Sequence, residues 1–248
     1  MGQVKCQYNW HGTGRQVFYD AESYETLLTG YPVQFVEDFL GSAGGGPFDG
    51  NTVWKVIDVS DAGTVVTAML ANTTNGQFQL ALDVADEDQD AVLYMNNQKP
   101  FDVGNGLIFE ARINVAVSMG TGVCAVFGMA GDHNLDKDTV TEAAWFRLQA
   151  SDSILVETDD TTNDNDDKDT GIDVVNGTFN IYRIDFTTLS DVKFFIDGVR
   201  VCADTTFDMS NLSASEQQMQ PYFSIDKTSG EALGTLNIDY VKIFSNRS

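Results

Sequence analysis

The sequence predicts an all-β protein, built as a two-sheet antiparallel jelly-roll sandwich. Short runs of β-branched and aromatic residues recur along most of the 248 residues, 22 glycines punctuate them, and there are only 4 prolines. About thirteen such runs are too many for an immunoglobulin-type domain and suit a larger two-sheet roll. A hydrophobic content of 42% supplies enough apolar side chains for a core of this size.

The strand pattern can be followed run by run. The run from Phe78 to Ala85 alternates apolar with more polar residues, which is typical of a half-buried strand, and Val84 is its last apolar position. Asp197-Gly198 predicts a hairpin turn, because both positions of such a turn favour φ > 0. The other candidate strands are 53–59, 64–70, 91–94, 107–117, 122–130, 144–149, 153–158, 179–186, 192–196, 199–205, 220–226 and 233–244.

The beginning of the chain has a different pattern. We expect residues 1–31 to form an N-terminal arm or small appendage, with one short helix around Ala21–Leu28. Residues 32–248 are expected to form the sandwich, with its first strand near Val33. The glycine run at 44–46 would let the arm swing relative to the sandwich. Six side chains of the arm are candidates for contacting a partner: Tyr8, Trp10, His11, Arg15, Phe18 and Tyr19.

Charge and cysteine content exclude several classes of protein. Against 14 Lys and Arg stand 37 Asp and Glu, a net charge of −23, so a nucleic-acid or anionic membrane surface is not expected. No apolar run is long enough to span a membrane, and the first residues lack the apolar segment of a secretion signal, which favours folding in a cytoplasm. The 3 widely spaced cysteines indicate neither a disulfide framework nor a zinc site.

No catalytic arrangement can be recognised in the sequence. The 2 histidines, His11 and His133, do not accompany a nucleophile motif. Glu157 and Asp159 form the best carboxylate pair, at alternate positions. They open the acidic stretch 159–173, which we interpret as a solvated loop. The sequence therefore predicts no catalytic residues and no enzymatic activity.

Two acidic stretches are candidates for calcium binding, the only cofactor we consider. Oxygen-bearing side chains alternate from residue 132 to residue 138, a spacing that lets a loop wrap Ca²⁺. No glycine stands where an EF-hand loop turns, and Ala143 occupies the position of its last glutamate. Aspartates crowded in the second stretch repel one another unless a cation screens them, and a solvated hairpin tip is the alternative. The candidate ligands are Asp132, Asn134, Asp136, Asp138, Asp164 and Asp166.

Several segments follow one another in an order typical of one domain family. They are Phe35–Leu40 with Trp54–Val56, Leu107–Ile113, Tyr182–Gly198, Pro221–Phe223 and Leu236–Ile243. They resemble the opening strands, central strand, hairpin and last two strands of concanavalin A-like lectin/glucanase domains, over about residues 33–245. The E-x-D-x-x-E motif of the glucanases in this superfamily is absent. The same skeleton resembles LamG-like jelly-roll proteins among tailed-phage virion proteins, which carry no catalytic acids.

The resemblance implies a non-enzymatic structural protein of a phage virion, assembled in the host cytoplasm. Our first expectation is a homo-oligomeric capsid decoration (cement) protein, whose arm and sandwich edges contact the major capsid protein and neighbouring copies of itself. The alternative is a glycan-binding adsorption module on a tail or head fibre. Sugar binding favours exposed aromatic side chains, and Trp54 and Trp145 lie in strand patterns that predict burial in the core. A third class, a polysaccharide-degrading enzyme, would need the missing carboxylate motif.

Overall fold

The computed structural model describes residues 6–10, 16–40, 53–61 and 63–247. Within them the chain forms two antiparallel sheets of 8 strands each and a third sheet of 3 strands. The described residues contain no α-helix, and hence no helix long and apolar enough to cross a membrane. The predicted two-sheet jelly-roll sandwich is confirmed.

The described strands are, in chain order, β1 (Cys6–Trp10), β2 (Gln16–Asp20), β3 (Thr26–Thr29), β4 (Val33–Glu37), β5 (Lys55–Ser60), β6 (Val66–Met69), β7 (Phe78–Ala81), β8 (Gln89–Tyr94), β9 (Phe101–Asp102), β10 (Ile108–Val117), β11 (Val123–Ala130), β12 (Glu142–Gln149), β13 (Ser153–Asp160), β14 (Asp164–Asp173), β15 (Phe179–Asp185), β16 (Lys193–Ile196), β17 (Val199–Val201), β18 (Gln218–Lys227) and β19 (Thr235–Ser245). The first sheet has the order β17-β16-β15-β10-β19-β7-β6, with β4 also paired to β19. The second sheet has the order β14-β13-β12-β11-β18-β8-β5, with β9 also paired to β18.

The hydrophobic core lies between the two large sheets. In β10, the central strand of the first sheet, Phe109, Ala111 and Ile113 are fully buried, as the period-two alternation of a strand requires. In the second sheet, Phe127 stacks on Phe146 with ring centroids 5.5 Å apart. Each such side chain contributes about 1.5–3 kcal/mol on full burial, so this layer accounts for much of the stability of the sandwich.

The helix predicted around Ala21–Leu28 is wrong. β2 ends at Asp20, whose carboxylate accepts hydrogen bonds from the N–H groups of Glu22 and Ser23, at 2.8 and 2.7 Å. Such a side-chain-capped turn reverses the chain, and β3 then pairs antiparallel with β2. Together with β1 these strands form the N-terminal sheet.

The N-terminal sheet packs on the outward face of the first sheet. The buried carboxylate of Glu110 in β10 accepts hydrogen bonds from the backbone N–H of Thr26 at 3.1 Å, from the Thr26 hydroxyl, and from the Tyr240 hydroxyl at 3.0 Å. Val17 of β2 contacts a small apolar cluster that includes Phe244. These contacts occupy part of the predicted arm within its own chain. The glycine run at 44–46 lies outside the described residues.

The acidic stretch 159–173, predicted as a loop, forms strands instead. β13 continues to Asp160, and β14 is an edge strand of the second sheet in which every second or third residue is half-buried. Pairing with β13 satisfies the backbone of these residues, while their carboxylates face solvent along the edge. A row of charges at a sheet edge prevents further strands from adding to it.

The predicted turn at Asp197-Gly198 is confirmed, with φ of +48° and +75°. A Cβ atom at residue 198 would lie 2.8 Å from the Tyr24 ring in the N-terminal sheet. Replacing Gly198 with alanine is therefore expected to lower the free energy of unfolding by about 1–2 kcal/mol, through backbone strain and crowding. Urea denaturation measures the change. Gly122, also at positive φ but in open space, is the control: if G122A loses as much as G198A, the contact with Tyr24 contributes nothing.

Candidate functional site

The outward face of the second sheet carries an apolar patch beneath a loop. Residues 131–140, between β11 and β12, form this covering loop. Beneath it Tyr222 is fully buried and Trp145 is 2% exposed, although both lie outside the core between the sheets. The prediction that Trp145 is buried is confirmed, but its place is in this outer layer. The patch consists of Val92, Tyr94, Val126, Ala130, Val140, Ala143, Trp145 and Tyr222.

Polar and aromatic contacts attach the start of the covering loop to the sheet. The side-chain amide of Gln220 donates to the backbone carbonyl of Gly131 at 2.7 Å, and its oxygen accepts from the N–H of Asn97 at 3.1 Å. The His133 ring stacks on Tyr222 with centroids 5.8 Å apart, and its Nδ1 lies 2.7 Å from the Tyr222 hydroxyl. The loop therefore has a defined position over the sheet.

A buried lysine anchors the middle of the covering loop. Lys137 is 4% exposed, and its ammonium donates to Asp90 Oδ1 at 3.4 Å and to the backbone carbonyl of Leu135 at 2.9 Å. Asp226 Oδ1 lies 3.6 Å from the same ammonium. Two carboxylates thus face one cation. Because all three groups have lost much of their hydration, the excess negative charge is costly.

A second charged group lies beside the first, on β12 and β13. Glu157 is 6% exposed and accepts hydrogen bonds from the Trp145 indole at 2.6 Å and from the Arg147 guanidinium at 3.0 Å. Arg147 also pairs with Asp138 of the covering loop. The register places Trp145 opposite Glu157, so strand pairing itself brings these side chains together on one face.

A cleft of about 390 Å³ opens between the covering loop and the sheet. This volume falls in the range of small-molecule sites. Val59 and Leu135, 45% and 58% exposed, form part of its apolar lining. Five carboxylates and two cations give the lining a net charge of −3. These charged residues are Asp88, Asp90, Asp136, Asp138, Asp226, Lys137 and Arg147.

Burial raises the pKa of three carboxyl groups on this face. Loss of hydration raises the pKa of Glu157 to about 7, although Trp145 and Arg147 donate to it. The same cause raises the pKa of Asp226 to about 6, against the opposing effect of Lys137. Burial also raises the pKa of Asp159 on β13 to about 6. These groups therefore gain protons at mildly acidic pH.

Glu157 should make stability depend on pH. Its pKa is raised from 4.5 in an exposed chain to about 7 in the folded protein, so the folded state binds more protons between these values. Its contribution to stability is fully present below about pH 4.5 and is lost as pH rises through 7. Replacing Glu157 with glutamine is expected to flatten this decline by about 2 kcal/mol. Urea denaturation at several pH values measures it, with E231Q, at an exposed residue, as the control; an unchanged pH profile in E157Q would contradict the assignment.

The first set of predicted calcium ligands is used in other contacts. Asp132 pairs with Lys99 at 3.1 Å. Asn134 and Asp136 each accept a hydrogen bond from the backbone N–H two residues further on, both at 3.1 Å. Asp138 pairs with the guanidinium described above. The alternating oxygens of this set therefore take part in local turns and ion pairs.

The second set lies on the edge strand β14. Asp164 and Asp166 face a small cavity of about 50 Å³, which Asp138 and Glu157 also line. Burial, followed by repulsion from Asp164, raises the pKa of Asp166. Across the described ranges, no three His, Cys, Asp or Glu side chains are arranged to hold a metal ion. Calcium binding by the residues predicted from spacing stays a prediction.

The predicted partner-contact residues belong to the N-terminal sheet or lie outside the described residues. Tyr8 and Trp10 are on β1, and Tyr8 pairs with Phe18 of β2 across the sheet. Phe18 and Tyr19 are half-buried. His11 and Arg15 lie outside the described residues. Partner binding by these side chains stays a prediction.

Sequence reasoning missed the charged residues around the cleft. Lys137 lies in the stretch predicted as a calcium loop, Asp90 follows a run of acidic residues, and Asp226 directly precedes Lys227, so none of the three stood out in the sequence. A usable signal was present in β8, where Ala91 to Tyr94 form a continuous apolar run. In the structure all six residues of this strand are buried. Apolar residues on both faces of a strand indicate that the outward face is covered as well.

Comparison with known proteins places the fold but gives no family. No family model and no curated protein matches the chain. A protein of unknown function from Shewanella oneidensis MR-1 is similar in structure, with a TM-score of 0.55 and 9% identity over 87% of this chain and 88% of that chain. The Emp47p carbohydrate recognition domain has a TM-score of 0.51 and 9% identity, over 79% of this chain and 90% of that chain. A structure from work on endo-acting O-glycanases of the human gut microbiota has a TM-score of 0.52 and 11% identity, over 86% of this chain and 99% of that chain. These similarities show a shared jelly-roll sandwich fold of the concanavalin A-like type.

Proposed function

We propose that this protein is a non-enzymatic carbohydrate-binding module whose ligand occupies the cleft under the covering loop. The cleft carries the proposal: it combines a volume of about 390 Å³ with a polar lining and apolar side chains at Val59 and Leu135. Sugars present hydroxyl groups and apolar ring faces together, so a mixed lining of this kind suits them. Charged side chains held rigidly by the sheet add direction to such contacts.

The comparisons support this proposal through the fold. Two of the similar structures have names that concern carbohydrate, the Emp47p carbohydrate recognition domain and the work on O-glycanases. A third, a family 7 alginate lyase in complex with product, has a TM-score of 0.50 at 11% identity. Because one fold serves many activities, the assignment to carbohydrate depends on the cleft itself.

The absence of catalysis is part of the proposal and rests on the contacts of Glu157. Its two oxygens accept hydrogen bonds from the Trp145 indole and the Arg147 guanidinium, and the side chain is 6% exposed. A carboxylate that acts on a glycosidic bond must reach the bond or a water beside it. A group held in this way supports the sheet face instead.

The proposed setting is the virion of a tailed phage. The sequence resemblance to LamG-like virion proteins supports it, as does the net charge of −23, which keeps closely spaced copies apart. In that setting the module would attach the particle to glycans of the host surface.

A glycan array tests the proposal, followed by titration with the best ligand. Replacing Val59 with tryptophan fills the cleft and is expected to weaken binding at least tenfold. Val84 is also exposed, at 64%, and does not line the cleft, so V84W is the matched control and should bind normally. Failure of the wild-type protein to bind any glycan, or equal binding by both variants, would overturn the proposal.

Capsid decoration is the second candidate, and one groove favours it. A groove of about 280 Å³ lies between β3 and β4 and is lined by Leu27 and Val36, which are 50% and 52% exposed. Exposed apolar side chains beside a groove are typical of contact surfaces. The partners would be the major capsid protein and neighbouring copies, in a homo-oligomer.

Binding to undecorated capsids tests this second candidate. Replacing Leu27 and Val36 together with aspartate should abolish saturable binding. The control is V175D, at a residue 65% exposed and outside the groove. Hundreds of copies per particle for the wild-type protein would support decoration, whereas no capsid binding would exclude it.

A further inference from the structure

We infer that the sugar bound in the cleft carries a protonated amine, which ion-pairs with Asp226 and is attracted by the carboxylates around it. This inference rests on the proposed carbohydrate-binding function and specifies the chemistry of its ligand. The class is a glycan containing an N-deacetylated hexosamine or another amino sugar with a free amino group.

The charge of the cleft favours a cation. Its lining carries a net charge of −3, in a chain whose net charge is −23. An anionic sugar such as a uronate or a sulfated residue would be repelled by the excess carboxylates. A neutral sugar would donate hydroxyl hydrogen bonds to them but would leave the excess negative charge uncompensated. A primary ammonium is attracted electrostatically by each of these carboxylates.

Two buried carboxylate oxygens beside the cleft lack hydrogen-bond donors among the described residues. Asp90 lines the cleft and is 3% exposed, and its Oδ2 has no hydrogen-bond partner among the described residues. His133 Nε2 lies 3.9 Å from this oxygen, and burial lowers the pKa of His133, which favours its neutral form. Oδ1 of Asp226 also has no hydrogen-bond partner within the described part of the chain. Unsatisfied buried carboxylate oxygens are costly, so a positive charge placed beside these carboxylates, at the exposed part of Asp226, is stabilising.

Lys137, the cation nearest the buried pair of carboxylates in the described structure, does not neutralise both of them. Lys137 faces both Asp90 and Asp226, and it is 3.4 and 3.6 Å from them. Two carboxylates thus share one close ammonium, and even with Arg147 counted the lining keeps a net charge of −3. An ammonium entering the cleft beside Asp226 would compensate part of this charge, and Asp226 is the more accessible of the two, with a side chain 21% exposed against 4%.

The nature of the lining also argues for a sugar recognised by charge. None of the residues that line the cleft in the described structure is aromatic, so stacking on a pyranose ring does not dominate recognition. Nor do the described residues form a group that could hold a metal ion. What remains is recognition by carboxylates, which accept hydrogen bonds from hydroxyl groups and from amines, and only the protonated amine also compensates the excess negative charge.

The wild-type protein provides the first test. Calorimetric titration compares a β-1,4-linked glucosamine tetrasaccharide with the N-acetylated tetrasaccharide of the same length. The expected result is binding at least tenfold tighter for the free amine, weakening as salt is raised. Equal binding of the two would overturn the inference while leaving the carbohydrate function intact. Binding of neither, together with an empty glycan array, would remove the proposed function itself.

Variants and pH locate the interaction. Asp226→Asn should remove the preference for the free amine, and D152N, at an exposed residue outside the cleft, should keep it. Because burial raises the pKa of Asp226 to about 6, amine binding by the wild-type protein should fall below that pH. Circular dichroism confirms that D226N is folded. A folded D226N that still prefers the amine would overturn the inference, as would spermidine binding without any sugar binding.

Discussion

Replacing Lys137 with methionine is expected to lower the free energy of unfolding at pH 7.5 by about 3–5 kcal/mol, the cost of removing one partner from a buried ion pair. Methionine keeps the length of the side chain but leaves Asp90 and Asp226 facing each other without a cation. The loss should be smaller at pH 5, because burial raises the pKa of Asp226 to about 6 and a protonated carboxyl group needs no cation. Urea denaturation at the two pH values measures both effects.

Lys99 provides the matched control for this experiment. It pairs with Asp132 at the surface, where the two side chains are 28% and 64% exposed. Its replacement with methionine is expected to cost at most about 1 kcal/mol, with little dependence on pH over this range. If K137M and K99M lose equal stability, the covering loop is not anchored by its buried lysine.

Replacing Glu110 with alanine is expected to lower the free energy of unfolding by about 2–4 kcal/mol and to release the N-terminal sheet. The substitution removes the acceptor for Thr26 and for the Tyr240 hydroxyl, so buried donors lose their partner. In the E110A protein, limited proteolysis should then cut in the turn after Asp20. In the wild-type protein, where the N-terminal sheet stays docked, the same turn should be cut more slowly. Hydrogen exchange of β2 and β3 measures the same release.

Glu22 serves as the control for Glu110. It lies exposed in the turn of the N-terminal sheet, and E22A is expected to change stability by less than about 0.5 kcal/mol. Deletion of residues 1–31 would act at the same contacts. Removing them would expose Glu110 and Phe244, so the sandwich is expected to be less stable without them. An E110A protein with unchanged exchange in β2 would show that the N-terminal sheet is held by other contacts.

Much of the sandwich could be predicted from local pattern. Alternating apolar positions such as Phe78 and Leu80 are fully buried, because one face of each strand meets the opposite sheet. Turn chemistry at Asp197-Gly198 was equally direct. The same rule fails at Val84, which is 64% exposed. β7 ends at Ala81, so the alternation continues in sequence beyond the last residue that pairs.

The rest depends on contacts between distant parts of the chain. The candidate site brings Asp90, Lys137 and Asp226 together from two strands and a loop, and no local pattern records their proximity. The N-terminal sheet was missed for a similar reason, since the short run 21–28 has apolar residues at a spacing that helices and strands share. The acidic strand β14 was missed because aspartate and asparagine are rare in strands, and pairing with β13 overrides that preference.

The place of β19 in the first sheet has a consequence for how the protein folds. β19 lies between β10 on one side and β4 and β7 on the other, and Val33 pairs with Ser245. The first sheet therefore cannot close on the ribosome until residues near 245 have been synthesised, and the strands made earlier must wait with unpaired edges. Such non-local pairing predicts slow folding, on the order of milliseconds to seconds. The docking surface for the N-terminal sheet, which includes Glu110 and Tyr240, forms only when β19 has paired, so β1 to β3 would find their place later than strands that follow them in the chain.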